Sequence, residues 1–201
     1  MSWIETVPPE KAAGRLREIY TRLAGPGGEV DNVLQIHSLR PHILEAHLAL
    51  YKNVLHHRGN TLPKWLLETI GIYVSLLNGC DYCVTHHLAG LQRLLQDDAR
   101  IEKVRSALET ERFSEVFDRR EQAIFAYVHQ LTRAPQNTLK SSIAALREAG
   151  LSDGEILEVN QVASYFAYAN RTVLGLGVST QGDVLGLSPN DSNDEENWQH
   201  T

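Results

Sequence analysis

Apolar residues recur at helical spacing along almost the whole chain, and Gly and Pro cut that pattern into segments of helix length. Pro8-Pro9 opens a segment from Glu10 to Leu23, in which Leu16, Ile19, Tyr20 and Leu23 share one face. Gly25-Pro26-Gly27-Gly28 ends it. Asp31 is placed as the N-cap of a short helix through Leu39, and Pro41 starts another to about His57. After the turn Arg58-Gly59-Asn60, Leu62-Pro63 begins a helix that Asn78-Gly79 stops, since either residue adopts the left-handed conformation at a helix C-terminus. Further helices are expected from Cys80 to about Gln96, Asp98 to about Leu108, Arg119 to Arg133, and Thr138 to Ala149. Ser152 with Glu155 forms a capping box that opens a long helix to about Leu176. No strict apolar–polar alternation recurs with hairpin signals, so the fold class is all-α.

One domain is expected over 1–180, followed by an acidic tail over 181–201 that reads as mobile or docked on a partner. Ile70-x-x-Tyr73-Val74-x-x-Leu77 is echoed by Ile124-x-x-Tyr127-Val128-x-x-Leu131, which suggests two related helical halves with cysteines only in the first. A chain of 201 residues buries about 70% of its unfolded surface and needs no disulfide or structural metal to be stable. The net charge of −6 is the wrong sign for a phosphate-binding surface, which excludes nucleic acid as a partner. The longest apolar stretch, Ile70 to Leu77, is too short to span a membrane, and MSWIETVPPEKAAG lacks the pattern of a signal peptide. A cytoplasmic location is the expectation. In a reducing compartment, the two cysteines, both in one C-x-x-C, point to catalysis or metal binding before a structural disulfide.

The informative stretch is Glu68-TIGIYVSLLNG-Cys80-Asp-Tyr-Cys83-Val-Thr-His86-His87. With Cys80 near a helix start and about 100° per residue, Cys83 and His87 project close to the Cys80 direction, and His86 falls off that stripe. Glu68 joins them only if the chain reverses at Asn78-Gly79, which sets it beside His87. The arrangement is a relay from Glu68 through His87 to Cys83, with Cys80 one turn away. A thiolate is the species that attacks an O–O bond, and His87 can take the thiol proton while Glu68 orients the ring. The resulting sulfenic acid condenses with the second thiol of the C-x-x-C. The helix N-terminus favours Cys80 as the attacking thiolate and the His87 contact favours Cys83, with Cys83 preferred.

Glu-x11-Cys-x-x-Cys-x-x-x-His, here Glu68, Cys80, Cys83 and His87, resembles the active-site motif of the alkylhydroperoxidase D (AhpD) family within the carboxymuconolactone decarboxylase-like superfamily. The wording Leu-Asn-Gly-Cys-x-Tyr-Cys-x-x-His-His and the later Tyr165-Phe166-Ala-Tyr168-Ala-Asn170-Arg171 are similar to its branch of uncharacterised peroxidase-related proteins. The resemblance implies an AhpD-like helical bundle, homo-oligomers built from dimers or trimers, and thiol-dependent hydroperoxide reduction in antioxidant defence without metal or haem. It implies an external dithiol reductant, in some members a lipoyl group on a partner protein. Tyr82 stands where the family's best-studied members carry a relay histidine.

Three rival readings accompany this one. Cys80, Cys83 and His87 supply three zinc ligands, but a closed site needs a fourth. A disulfide oxidoreductase that does not use peroxide, or a non-catalytic helical module, would use the same fold. Histidines 37, 42, 47, 56, 57 and 129 read as packing or surface residues, and Tyr165, Tyr168 and Asn170 as a subunit contact or pocket wall.

Overall fold

The computed structural model describes residues 2–24 and 28–186. Among them are nine α-helices, joined by short turns and single 3-10 turns, and no strand. They are α1 Gly14–Leu23, α2 Asn32–Gln35, α3 Pro41–Leu55, α4 Lys64–Asn78, α5 Asp81–Leu95, α6 Asp98–Thr110, α7 Arg119–Arg133, α8 Lys140–Glu148 and α9 Asp153–Leu176. None of these helices is long and apolar enough to cross a membrane.

Helix α4 is the axis of the bundle. Residues on every side of it are buried, from Leu66 to Ser75, because α5, α7 and α9 pack around it. A helix apolar all round belongs in the middle of a core. Its contact with α9 is unusually close at Gly71, where a Cβ would lie 2.2 Å from the Phe166 ring. The echoed segments lie on α4 and α7, which pack against each other, and the repeated Ile, Tyr and Val positions are buried in one core.

The expected stop at Asn78-Gly79 closes α4. Gly79 takes φ +68°, the Cys80 N–H bonds the Ser75 carbonyl at 2.9 Å, and α5 folds back along α4. The Ser152–Glu155 capping box opens α9 as expected.

Two N-terminal expectations are corrected. The segment from Glu10 is split: residues 9–11 make a 3-10 turn, and α1 begins at Gly14, whose φ of +52° breaks the run. Asp31 holds the N-cap position of α2, but its side chain makes no capping bond, and the helix stops at Gln35. The Asn32 N–H is instead bound by Asp183, from the far end of the chain.

Of the tail expected over 181–201, residues 181–186 pack against the helices, and 187–201 lie outside the described residues. Val178 to Gly186 forms a strap from the end of α9 across α5, where Arg93 donates to the Leu185 carbonyl at 3.3 Å. Gly186 sits so close to Ala89 that a Cβ would meet it at 2.8 Å. The Gly25-Pro26-Gly27 breaker also lies outside the described residues.

Candidate active site

The α4–α5 reversal brings the four expected site residues to one place. Glu68 Oε2 lies 2.6 Å from His87 Nδ1, and the two side chains are 2% and 14% exposed. A carboxylate only accepts, so the proton in this contact is carried by Nδ1, and Nε2 is the ring atom left to exchange a proton. Phe166 packs edge-on against His87 at 4.7 Å between ring centroids, which fixes the imidazole from the α9 side. Glu68, His87 and Cys83 line a common cavity of about 610 Å³, counting its open mouth.

The second link of the relay differs from expectation. Among the described residues no hydrogen bond joins His87 to Cys83, and the sulfur chemistry is set by other neighbours. Both cysteines are free and buried, and Cys80 is wholly inaccessible. The neighbouring Cys83 thiol, able to donate to a Cys80 thiolate, lowers the Cys80 pKa although burial opposes it. Cys80 makes no regular capping bond, yet the Cys83 backbone N–H faces its sulfur and adds to the effect. Cys83 moves the other way: donation to Cys80 first, then burial and the Cys80 charge, push its pKa well above the ordinary thiol value. Between the two sulfurs, loss of the proton is therefore favoured at Cys80 and disfavoured at Cys83.

The side chain beneath both sulfurs is Asn170 of α9. Its amide bonds the Ser75 hydroxyl at 3.0 Å, its oxygen accepts from Asn78 at 2.9 Å, and it favours the thiolate of either cysteine. Ser75 also supports the Cys83 thiolate. Tyr165 is a wall of the cavity, whereas Tyr168 is partly exposed and its hydroxyl lies 3.5 Å from His37. His47, expected only as packing or surface, lines the cavity, stacks on His37 at 4.7 Å, and is pushed down to about 3 by burial and by His37.

The helical stripe is also recentred. Cys80 is an N-cap residue with φ −98° and ψ 84°, outside the helix, so angles counted from it do not describe α5. The face turned to the cavity is Cys83, His86, His87 and Gly90, the i, i+3, i+4, i+7 set. His86, expected off the stripe, is therefore part of the site. Its Nε2 donates to Asp183 Oδ2 at 3.1 Å, and its ring stacks on Tyr82 at 4.5 Å. The Tyr82 hydroxyl donates to the same Asp183 oxygen at 2.6 Å and accepts from the Val33 N–H at 3.1 Å. Asp31 completes this side of the cavity, its pKa raised to about 6 by burial and then by the charges of Asp183 and Glu29, against the opposing pull of His86. Among the described residues no three His, Cys, Asp or Glu side chains are grouped to hold a metal ion.

Residues 41–119, from the start of α3 to the first residue of α7, match the Carboxymuconolactone decarboxylase family model. An alkylhydroperoxidase AhpD core structure, an uncharacterized peroxidase-related protein from Ralstonia eutropha JMP134, superposes with a TM-score of 0.78 at 20% identity, covering 94% of this chain and 98% of that one. The fold is AhpD-like. A second structure, an uncharacterized peroxidase-related protein from Silicibacter sp. TM1040, gives a TM-score of 0.73 at 23% identity over 90% of both chains. The debrominase Bmp8, solved with 2,3,4-tribromopyrrole, gives 0.67 at 17% identity over 90% of this chain and 95% of that one. The AhpD-like fold thus carries peroxidase-related and debrominase members. No curated protein matches the chain by sequence.

Proposed function

We propose that this chain is a thiol-dependent hydroperoxide reductase in which Cys83 and Cys80 are oxidised to a disulfide. The observation that carries the reading is the pair of free, buried thiols at the start of α5, with Cys83 opening onto the cavity that holds the Glu68–His87 pair. Cys83 lines that cavity and Cys80 does not, so Cys83 meets the peroxide. Once Cys80 has lost its proton, transfer of the Cys83 proton to it places the thiolate on the attacking sulfur. Attack on the hydroxyl oxygen of R′O–OH forms the S–O bond and breaks O–O, leaving Cys83 as a sulfenic acid. Cys80 then attacks Cys83 sulfur and displaces water. The Glu68–His87 pair moves protons across the cavity rather than by direct contact with sulfur, which general acid–base catalysis allows through one intervening water. An external dithiol, of the kind carried by a lipoyl group, reduces the disulfide.

The names of the AhpD-like relatives add weight to peroxide as oxidant, while the chemistry of the site rests on its residues. The test is thiol counting on the full chain before and after one equivalent of cumene hydroperoxide. Loss of both thiols, reversed by dihydrolipoamide, is the expected result. Two thiols that remain titratable would overturn the proposal.

A further inference from the structure

Cys83, His86 and His87 lie on one turn of α5, yet the two histidines serve different partners. His87 reaches Glu68 on α4, whereas His86 turns to Asp183 on the C-terminal strap. The Asp183 side chain is 2% exposed and saturated: Oδ2 accepts from His86 and from Tyr82, and Oδ1 accepts from the Asn32 N–H. The His86 ring is thus held between a stacked phenol and a buried carboxylate, with Nε2 committed and Nδ1 without a hydrogen bond among the described residues. Asp31 faces the same space, and its carboxyl stays protonated to unusually high pH for an aspartate. Among the described residues no Lys or Arg lines this cavity.

The stoichiometry of the proposed reaction leaves a proton to be found. Reduction of R′OOH by two thiols yields a disulfide, R′OH and water, and takes up two protons into the products. Attack requires a thiolate, so the cysteine pair enters the step with one. The second has to reach the R′O⁻ oxygen as the O–O bond breaks, because a free alkoxide is a poor leaving group.

We propose that His86 is the general acid of the site, giving a proton from Nδ1 to the alkoxide oxygen that leaves Cys83's attack, with Asp183 and Tyr82 as positioning residues and Asp31 as the adjoining proton store. The proposal rests on the hydroperoxide-reductase reading above. The bond pair of O–O departs on R′O, Cys83 is oxidised to the sulfenic acid, and the peroxide is reduced to the alcohol. His86 is left neutral, its Nε2–H still donated to Asp183. The Cys80 thiol proton leaves with hydroxide as water in the second step, and Asp31 and solvent re-protonate His86.

The experiment compares two oxidants under single turnover, followed by thiol loss. tert-Butyl hydroperoxide expels a strongly basic alkoxide, whereas peracetic acid expels acetate, which needs no proton. His86→Gln is expected to slow oxidation by tert-butyl hydroperoxide about 100-fold or more, and oxidation by peracetic acid less than about fivefold. Asp183→Asn is expected to show the same selectivity with a smaller loss. The retained peracid rate reports that each variant is folded. Equal slowing with both oxidants, or no slowing with tert-butyl hydroperoxide, overturns the assignment. So does the selective loss appearing in His87→Gln in place of His86→Gln. A wild-type chain whose thiols resist both oxidants overturns the hydroperoxide-reductase reading itself, a result distinct from the others.

Discussion

The Glu68 carboxylate and the His87 imidazole meet at 2.6 Å across the α4–α5 reversal, although nineteen residues separate them in the chain. Removing the charge while keeping the shape isolates what this contact does. Glu68→Gln leaves the carbonyl acceptor in place but no longer stabilises an imidazolium, so peroxide-driven disulfide formation is expected to slow by roughly 100-fold. His87→Ala should slow it at least as much. Because no hydrogen bond links His87 to sulfur, neither change is expected to move the pH profile of iodoacetamide alkylation appreciably. Stopped-flow oxidation beside alkylation rates separates the two effects, and an unimpaired oxidation rate would remove the pair from the mechanism.

The residue that should move that alkylation profile is Asn170. Its side chain favours the thiolate of Cys80 and of Cys83, so deleting it raises both thiol pKa values. Asn170→Ala is therefore expected to shift alkylation to higher pH. It also strips partners from Ser75 and Asn78 in a buried position, at a stability cost of about 1–3 kcal/mol. An alkylation profile that stays put would show that the sulfurs are tuned without it.

Legibility in the sequence followed chain distance. Glu68, Cys83 and His87 lie on two consecutive helices with Cys80 in the turn between them, and one Asn-Gly stop is enough to fold them together. The helices themselves were legible because Pro, Gly and the Ser152–Glu155 box mark their ends. Asp183 was not, because its contact with Asn32 spans 151 residues and its acidic neighbourhood has the composition of a tail. His86 was misplaced for a local reason: the angular count began at Cys80, whose backbone is not helical. Asn170 was noticed only within an aromatic stripe, since no spacing rule ties α9 to the cysteines.

Gly71 is where packing controls the site. A methyl group there would sit 2.2 Å from two Phe166 ring atoms, and the same ring braces His87. The ring is buried between Gly71 and His87 and borders the cavity, so it can yield only by shifting toward that space and off His87. Gly71→Ala is expected to cost about 1–3 kcal/mol through overpacking, against the smaller gain that alanine brings to a helix interior. A fall in Tm of about 2–4 °C per kcal/mol is the measurable consequence for a chain of this size. Oxidation by cumene hydroperoxide should slow as well, because the His87 ring loses its brace. A variant as stable as wild type would mean that α9 shifts to accept the methyl group without strain.

Asp31 gives the fold a pH dependence of definite sign. Its pKa is raised from 3.8 to about 6, so the folded state holds this proton more tightly than the unfolded chain does. Below about pH 4 the carboxyl is neutral in both states and costs nothing. As pH rises from about 4 to 6 the unfolded chain ionises first and stability falls, reaching a loss of at most about 3 kcal/mol that stays constant above. Asparagine cannot ionise, so Asp31→Asn should gain on wild type through that window and keep the gain at pH 7. Urea midpoints at pH 4, 5, 6 and 7 measure it, and a gap that does not change with pH would contradict the buried-acid account. His86 works against the shift, since its charge favours the Asp31 carboxylate, while Asp183 and Glu29 work with it. In a His86→Gln background the gap should therefore widen and extend to higher pH, which ties Asp31 to the same proton-holding cluster.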